Sequence, residues 1–457
     1  MNDLTIFNGT VIPMTEKGLM LAPGYLVIKD GAISRIGAGA PPSSSETTQR
    51  IDARGGVVMP GLTNAHTHLY QVLFRAVWEG LPLITWLKNV YRAAEVLQPS
   101  DFYHGSLLGC VEALKGGVTT VCEHNFLNPH PDCAKESIRA IRESGIRAVF
   151  ARTIMDEGEI VPPCVTEKPA DAFKSIERLI EEEKERSSQL KSTRLSFLTG
   201  PNTPPINSSP ALLKEVRRFA DDHAIGLSTH VAESYAVLEA VRARCAANGV
   251  VEYLERFGIP GPNAVFAHSV HLTDKDIEIL SMTGTSVSHN PVSNMMLGDG
   301  VAPVIKMLAA NVNVALGTDG AASNHSQDMF ETMKTASLLQ KVHHCDSSVI
   351  DAWTVMRMAT AAGAQALGLN DVCGTLDVGK RGDVIIVDVE AVHIQPINDI
   401  FSQMVHCAKS SDVRTVVVDG NILVHDGELL SLEVPKILHN ARQTQREIMN
   451  RFTSALQ

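Results

Sequence analysis

Short apolar runs recur along the whole chain, but their spacing changes twice. Over the first 57 residues they sit close together and are separated by turn signals. Leu4-Thr5-Ile6-Phe7 leads through Asn8-Gly9 into Thr10-Val11-Ile12. Tyr25-Leu26-Val27-Ile28-Lys29 leads through Asp30-Gly31 into Ala32-Ile33-Ser34-Arg35-Ile36. Asn-Gly and Asp-Gly tolerate the positive φ of tight hairpin turns, so these runs predict strands joined by turns. The style returns in Gly382-Asp383-Val384-Ile385-Ile386-Val387 and in Thr415-Val416-Val417-Val418-Asp419-Gly420-Asn421. The two ends are therefore expected to build one small β-sandwich domain, residues 1–57 plus 371–430.

Between 58 and 370 strand-length apolar runs alternate with longer stretches of helical spacing, such as Glu136 to Ser144 and Ala211 to His223. The runs at 118–121, 147–151, 195–198, 226–229, 264–267, 285–288 and 312–316 read as strands, with Gly56-Val57-Val58-Met59 as the first. Such alternation predicts an α/β architecture, a (β/α)8 TIM-type barrel. The rival doubly wound sheet lacks support, because no Gly-x-Gly-x-x-Gly turn follows an early strand. A last segment, 431–457, carries the spacing of an amphipathic helix from Pro435 to Gln457.

Charge and composition narrow the partners. Of 457 residues 44% are hydrophobic, and the net charge is −11 with no dense Lys/Arg patch. Nucleic acid and anionic membranes both demand concentrated positive charge, so neither is an expected partner. No apolar run approaches the roughly 18 residues of a membrane span. Met1-Asn2-Asp3-Leu4-Thr5 lacks the basic-then-apolar pattern of a signal peptide. The eight cysteines are scattered and form no Cys-x-x-Cys pair, so free thiols in a cytoplasmic protein are expected.

In a barrel of this type the chemistry sits just past the C-terminal ends of the strands. The first strand leads to His66 and His68, two residues apart and so on one face of an extended chain. The fifth gives His230, the sixth His268, the seventh His289 and the eighth Asp319. Each alone reads as an ordinary buried histidine or a turn aspartate. Recurrence at five strand ends reads as a metal site. Glu233 follows His230 by three residues; it is either a first-turn helix glutamate or the carboxylate that general acid–base chemistry needs. His343 and His344 precede Cys345 in a helical context without a strand-end partner and read as structural. The fourth strand ends in Gly200-Pro201-Asn202 without a lysine, which favours one ion over two. The His-x-Glu/Pro-Cys-x-x-Cys and His-Glu-x-x-His signatures are missing.

These motifs resemble the amidohydrolase superfamily over nearly the whole chain. Pro60-Gly61-Leu62-x-x-x-His66-Thr67-His68 is similar to its first-strand motif. Ala267-His268-Ser269-Val270-His271-Leu272, Ser288-His289-Asn290-Pro291-Val292-Ser293-Asn294 and Gly317-Thr318-Asp319-Gly320-Ala321-Ala322-Ser323-Asn324 resemble the branch of S-adenosylhomocysteine/methylthioadenosine deaminases and s-triazine hydrolases. Gly374-Thr375-Leu376-Asp377-Val378-Gly379-Lys380-Arg381-Gly382-Asp383 resembles the return to the β domain. The resemblance implies one Zn²⁺ or Fe²⁺ held by His66, His68, His230 and Asp319. It implies catalytic roles for Glu233, which protonates a ring nitrogen, His268, which holds the attacking oxygen, and Asp319, which passes a proton to departing ammonia. Trp86 and Glu95 match a ribose-binding pair by spacing, and Arg152, Asn202 and His289 are further substrate-binding candidates. Adenosine-type members carry a His where Asn202 stands. Glu123-His124-Asn125 and the segment Asp156 to Lys168, with Pro162 and Pro163, are read as pocket and entrance features. The expected activity is hydrolytic deamination of an amino-substituted nitrogen heterocycle by a homodimer or larger homo-oligomer. The alternatives are displacement of chloride or alkylamine from a triazine-like ring, cyclic amide hydrolysis, and a scaffold without activity.

Overall fold

The computed structural model describes residues 3–42, 48–190 and 193–455. Positions 456 and 457 of the expected C-terminal helix lie outside the described residues, as do 1–2 and 43–47 of the expected β domain.

Eight parallel strands follow one another in sequence and in space: Leu62–Thr67, Val118–Asn125, Arg147–Ile154, Leu195–Pro201, Gly226–Val231, Ala264–His268, Ser286–His289 and Val314–Leu316. They are called the first to the eighth strand below. Nearly every strand residue is buried, as expected where helices cover the outer face and side chains fill the inner one. The interior is narrow and is filled by small or slim residues, among them Ala65, Cys122, Val149, Ala151, Val265 and Ala315, with Leu367 in the same cluster. The first and eighth strands are stitched just past the eighth. The Asp319 N–H donates to the His66 carbonyl at 2.9 Å, and the Thr318 N–H donates to Asn64 Oδ1 at 3.0 Å. This is a TIM-type barrel.

The chain ends build a second, nine-stranded mixed sheet. Its halves meet where Val57–Pro60 pairs antiparallel with Val384–Val387 and parallel with Leu4–Val11. Leu4, Ile28, Val58, Ile386 and Val417 share one apolar cluster, so strands from both termini enclose a single small core. The expected sandwich is thus one continuous hydrogen-bonded sheet.

Two local expectations need correction. The run ending at Met59, expected as the first barrel strand, lies in this terminal sheet. Gly61 separates it from Leu62–Thr67: a Cβ at Gly61 would sit 2.1 Å from Thr119 Oγ1, so only glycine lets the chain pass there from one sheet to the other. Asn8-Gly9 is not a hairpin turn but a bulge inside one strand, Leu4–Val11, with Asn8 at φ 60°. Asp30-Gly31 does form the expected turn, with φ of 51° and 77°.

Arg147, at the start of the third strand, ties the two sheets. It is almost fully buried, and its guanidinium donates to both carboxylate oxygens of Asp383. The last helix, Val434–Ala455, packs on the barrel through Ala441 and Ile448 and pairs Arg451 with Asp101. Among the described residues no helix is long and apolar enough to cross a membrane.

Candidate metal centre

Parallel strand ends bring the predicted residues together. His66 lies near the end of the first strand and His68 just beyond it; His230, His268 and His289 lie at the ends of the fifth, sixth and seventh. All are buried. The ring of His66 lies 4.9 Å from that of His68, 5.0 Å from His230 and 5.4 Å from His268. One ring nitrogen each of His66, His68 and His230 lie within 4.8 Å of one another; the same holds for His66, His268 and an Asp319 oxygen. Asp319 Oδ1 is 3.4 Å from His66 Nε2 and 3.2 Å from His68 Nε2. Its other oxygen, Oδ2, accepts from Ser293 Oγ at 2.6 Å and Ser323 Oγ at 2.8 Å. The backbone around the cluster is strained: His268 has φ 69° and Asp319 φ 62°. Such conformations cost on the order of 1–3 kcal/mol each and persist only where the surroundings impose them.

Hydrogen bonds set which nitrogen of each ring faces inward. His68 Nδ1 is 2.6 Å from the His124 carbonyl, and His230 Nδ1 is 3.0 Å from the Asn202 carbonyl. A carbonyl only accepts, so both rings carry their proton on Nδ1 and turn the Nε2 lone pair to the centre. His66 Nε2 is buried and has no hydrogen-bond partner among the described residues. Burial pulls His66 down to about 4 and His230 well below its ordinary value. Burial also lowers His68, but the Asp319 carboxylate beside it outweighs this and its pKa is raised. Burial alone would raise Asp319; the His66 and His68 rings beside it outweigh that and hold it well below the usual carboxylate range. Three imidazole nitrogens turned to one point, an ionised carboxylate and an unpartnered His66 Nε2 form a donor set that fits one divalent ion of the zinc or iron type.

A second layer lines the centre. Glu233 is buried, and burial followed by the Asp299 and Asp319 charges pushes its carboxyl well above the ordinary value. Its Oε1 lies 3.6 Å from His268 Nε2. Burial pushes His268 down to about 3 and His289 to about 4. Neither ring nitrogen of His289 has a partner among the described residues. Asn202 holds His230 through its carbonyl, while its Oδ1 lies 3.3 Å from His124 Nε2. Trp86 is buried, and its indole N–H donates at 3.3 Å to Ala322 in the segment after Asp319. Arg152 is buried near the end of the third strand and pairs with Glu167 in the segment that follows it. Glu95 is not brought into the buried cluster; it is exposed at the C-terminal cap of helix Leu83–Ala94. His343 and His344 are exposed at a helix end. All eight cysteines are free thiols.

Several neighbours of the centre had no specific chemical role in the sequence, His124 and Glu123 being read only as pocket features. The His124 ring lies 4.3 Å from that of His230, beneath the centre, with Nδ1 3.0 Å from Ser228 Oγ. Glu123 Oε2 accepts from the Leu69 N–H, and burial pushes this carboxyl up to about 7. Ser293, Asn294 and Ser323 stand in legible motifs, but which atom each would hold was not readable. Asp299, in Gly298-Asp299-Gly300, carries no signal beyond a turn.

Comparisons with known proteins agree with this geometry. The profile of the amidohydrolase family matches residues 57–423. A 5′-deoxyadenosine deaminase from Methanosarcina mazei is 38% identical over 456 residues, covering 99% of this chain and 100% of that one. A 5-methylthioadenosine/S-adenosylhomocysteine deaminase from Syntrophomonas wolfei is 35% identical, covering 97% and 99%. Among solved structures, a zinc-bound adenosine deaminase from Xanthomonas campestris superposes with a TM-score of 0.90 at 29% identity, covering 98% of this chain and 99% of that one. A barrel whose strand ends gather three imidazoles and a carboxylate, matched by that profile over most of its length, belongs to the amidohydrolase family.

Proposed function

We propose that the chain is a hydrolytic deaminase of adenosine-type nucleosides modified at the 5′ position, using one zinc ion. The ion would be held by His66, His68, His230 and Asp319. When bound it would act as a Lewis acid and lower the pKa of water at the site toward ~7. The observation that carries the reading is the place of Glu233: a buried carboxyl 3.6 Å from His268 beside the donor set, its proton favoured by burial. Displacing an amine requires proton delivery, whereas chloride leaves without it. Glu233 delivers its proton to the ring nitrogen beside the attacked carbon. His268 donates a hydrogen bond to the attacking oxygen. Asp319 Oδ1, between His66 and His68, takes up a proton and hands it to ammonia as it leaves. Trp86, Glu95, Arg152, Asn202 and His289 bind the nucleoside, with Asn202 offering both a donor and an acceptor to the base. Full-length similarity to two kinds of adenosine-type deaminase supports this substrate class.

The deciding experiment incubates zinc-loaded protein with 5′-deoxyadenosine, 5′-methylthioadenosine, S-adenosylhomocysteine and adenosine. Guanine, a pterin and amino- and chlorotriazines serve as contrasts. Ammonia release from the adenine nucleosides is expected; its absence from all of them, with metal bound, overturns the reading. Metal analysis of protein as purified separates zinc from iron. We further propose a cytoplasmic homodimer or larger assembly; a monomer mass by light scattering would refute the assembly.

A further inference from the structure

We propose that Asn294 and Asp299 are positioning residues that fix the tautomer of His268, holding its single proton on Nε2. The kinetic part of this inference rests on the deaminase reading above; the structural part does not.

His268 is buried and kept neutral, so it carries one proton whose place must be chosen. Its Nδ1 lies 3.0 Å from Asn294 Nδ2. An amide NH₂ only donates, so Nδ1 accepts and the ring proton sits on Nε2. A flipped amide would reverse this, because its oxygen would accept from an Nδ1–H. Asp299 forbids the flip. Its Oδ2 lies 3.3 Å from the same Asn294 Nδ2, and a carboxylate facing an amide oxygen would be repelled. The other end of the amide, Oδ1, is buried without a partner among the described residues and so opposes nothing.

Asp299 itself is locked. Its N–H donates to the Asn294 carbonyl at 2.9 Å, and its carbonyl is 2.7 Å from His271 Nε2. Gly298 and Gly300, at φ 70° and 124°, give the backbone the turn that aims the carboxyl back at Asn294. Burial raises Asp299 to about 7, and the hydrogen bond from Asn294 works against that rise, as it does for a carboxyl oxygen that accepts.

The result is opposite tautomers in one cluster. His68 and His230 carry their protons on Nδ1, against carbonyls, and present lone pairs. His268 presents an N–H, aimed toward Glu233 Oε1 at 3.6 Å. A lone pair on His268 Nε2 would make it a competing ligand; an N–H makes it a donor to the attacking oxygen.

The test is ring-¹⁵N-histidine spectroscopy of the zinc-loaded protein without substrate, with the resonance assigned by its loss in His268→Gln. A bare Nδ1 and a protonated Nε2 are expected in the unsubstituted protein. In Asn294→Asp the new carboxylate can only accept, and the pattern should invert. In Asp299→Asn both patterns should be populated, which keeps the test decisive if Asn294→Asp does not fold. In both variants kcat should fall about 10²-fold in Asn294→Asp and less in Asp299→Asn, with KM changed by no more than about twofold. A proton on Nδ1 of the unsubstituted protein overturns the proposal. So does a fall in kcat with the ring pattern unchanged. Failure to release ammonia together with a bare Nδ1 would remove the deaminase reading and leave this assignment standing.

Discussion

At the residue scale, the site is built from hydrogen bonds that decide protonation. In the proposed reaction Glu233 is the proton donor, and burial pushes its carboxyl in the direction that role needs. Glu233→Gln keeps the shape and loses the transferable proton, so kcat for ammonia release should fall by about 10²–10⁴ while zinc content is unchanged. Asp319 is oriented by the hydroxyls of Ser293 and Ser323. Replacing both by alanine should weaken zinc binding about 10–100-fold in a chelator competition. Glu95 offers a sharper test of substrate class, because it is exposed and outside the cluster. Glu95→Ala should raise KM for a nucleoside and leave a free base unaffected; equal effects on both would remove it from ribose recognition. The metal-facing residues were legible because a barrel fixes where strand-end side chains go. Asp299 was not, because its contact to Asn294 depends on a turn whose direction two glycines set.

At the scale of elements, the strands were legible and their sheet membership was not. Val57–Pro60 and Leu62–Thr67 are one apolar run interrupted by Gly61, and periodicity cannot say that the first half pairs with Val384–Val387. Partner choice is a long-range property. It is fixed here by Gly61, where the chain crosses Thr119 too closely for any side chain. Gly61→Ala should therefore lower Tm markedly, and Gly427→Ala, where a Cβ meets nothing but φ is 79°, should cost less. Asn8-Gly9 teaches the same lesson: a hairpin dipeptide becomes a bulge when the strand continues beyond it.

At the scale of the whole molecule, the buried Arg147–Asp383 pair joins barrel to terminal sheet, and the proposed metal donors join the first, fifth and eighth strands. Arg147→Met leaves a buried carboxylate without its partner and should destabilise by about 3–5 kcal/mol in denaturant titration. Stripping the metal removes linkage stabilisation worth about 4 kcal/mol at a thousandfold excess over Kd, so chelation should lower Tm and re-addition of zinc restore it. An unchanged Tm in a chelated, metal-free sample would remove the ion from the fold's stability. The sequence by itself determined the barrel, the terminal β domain and which residues gather as candidate donors, because alternating β and α runs and strand-end positions are local signals. Tertiary structure alone decided which sheet claims Val57–Pro60, that Arg152 is held by Glu167, and that Asn294 and Asp299 stand behind His268. Those depend on how side chains and backbone turns pack together in a dry interior, where each polar group must find a partner or remain without one.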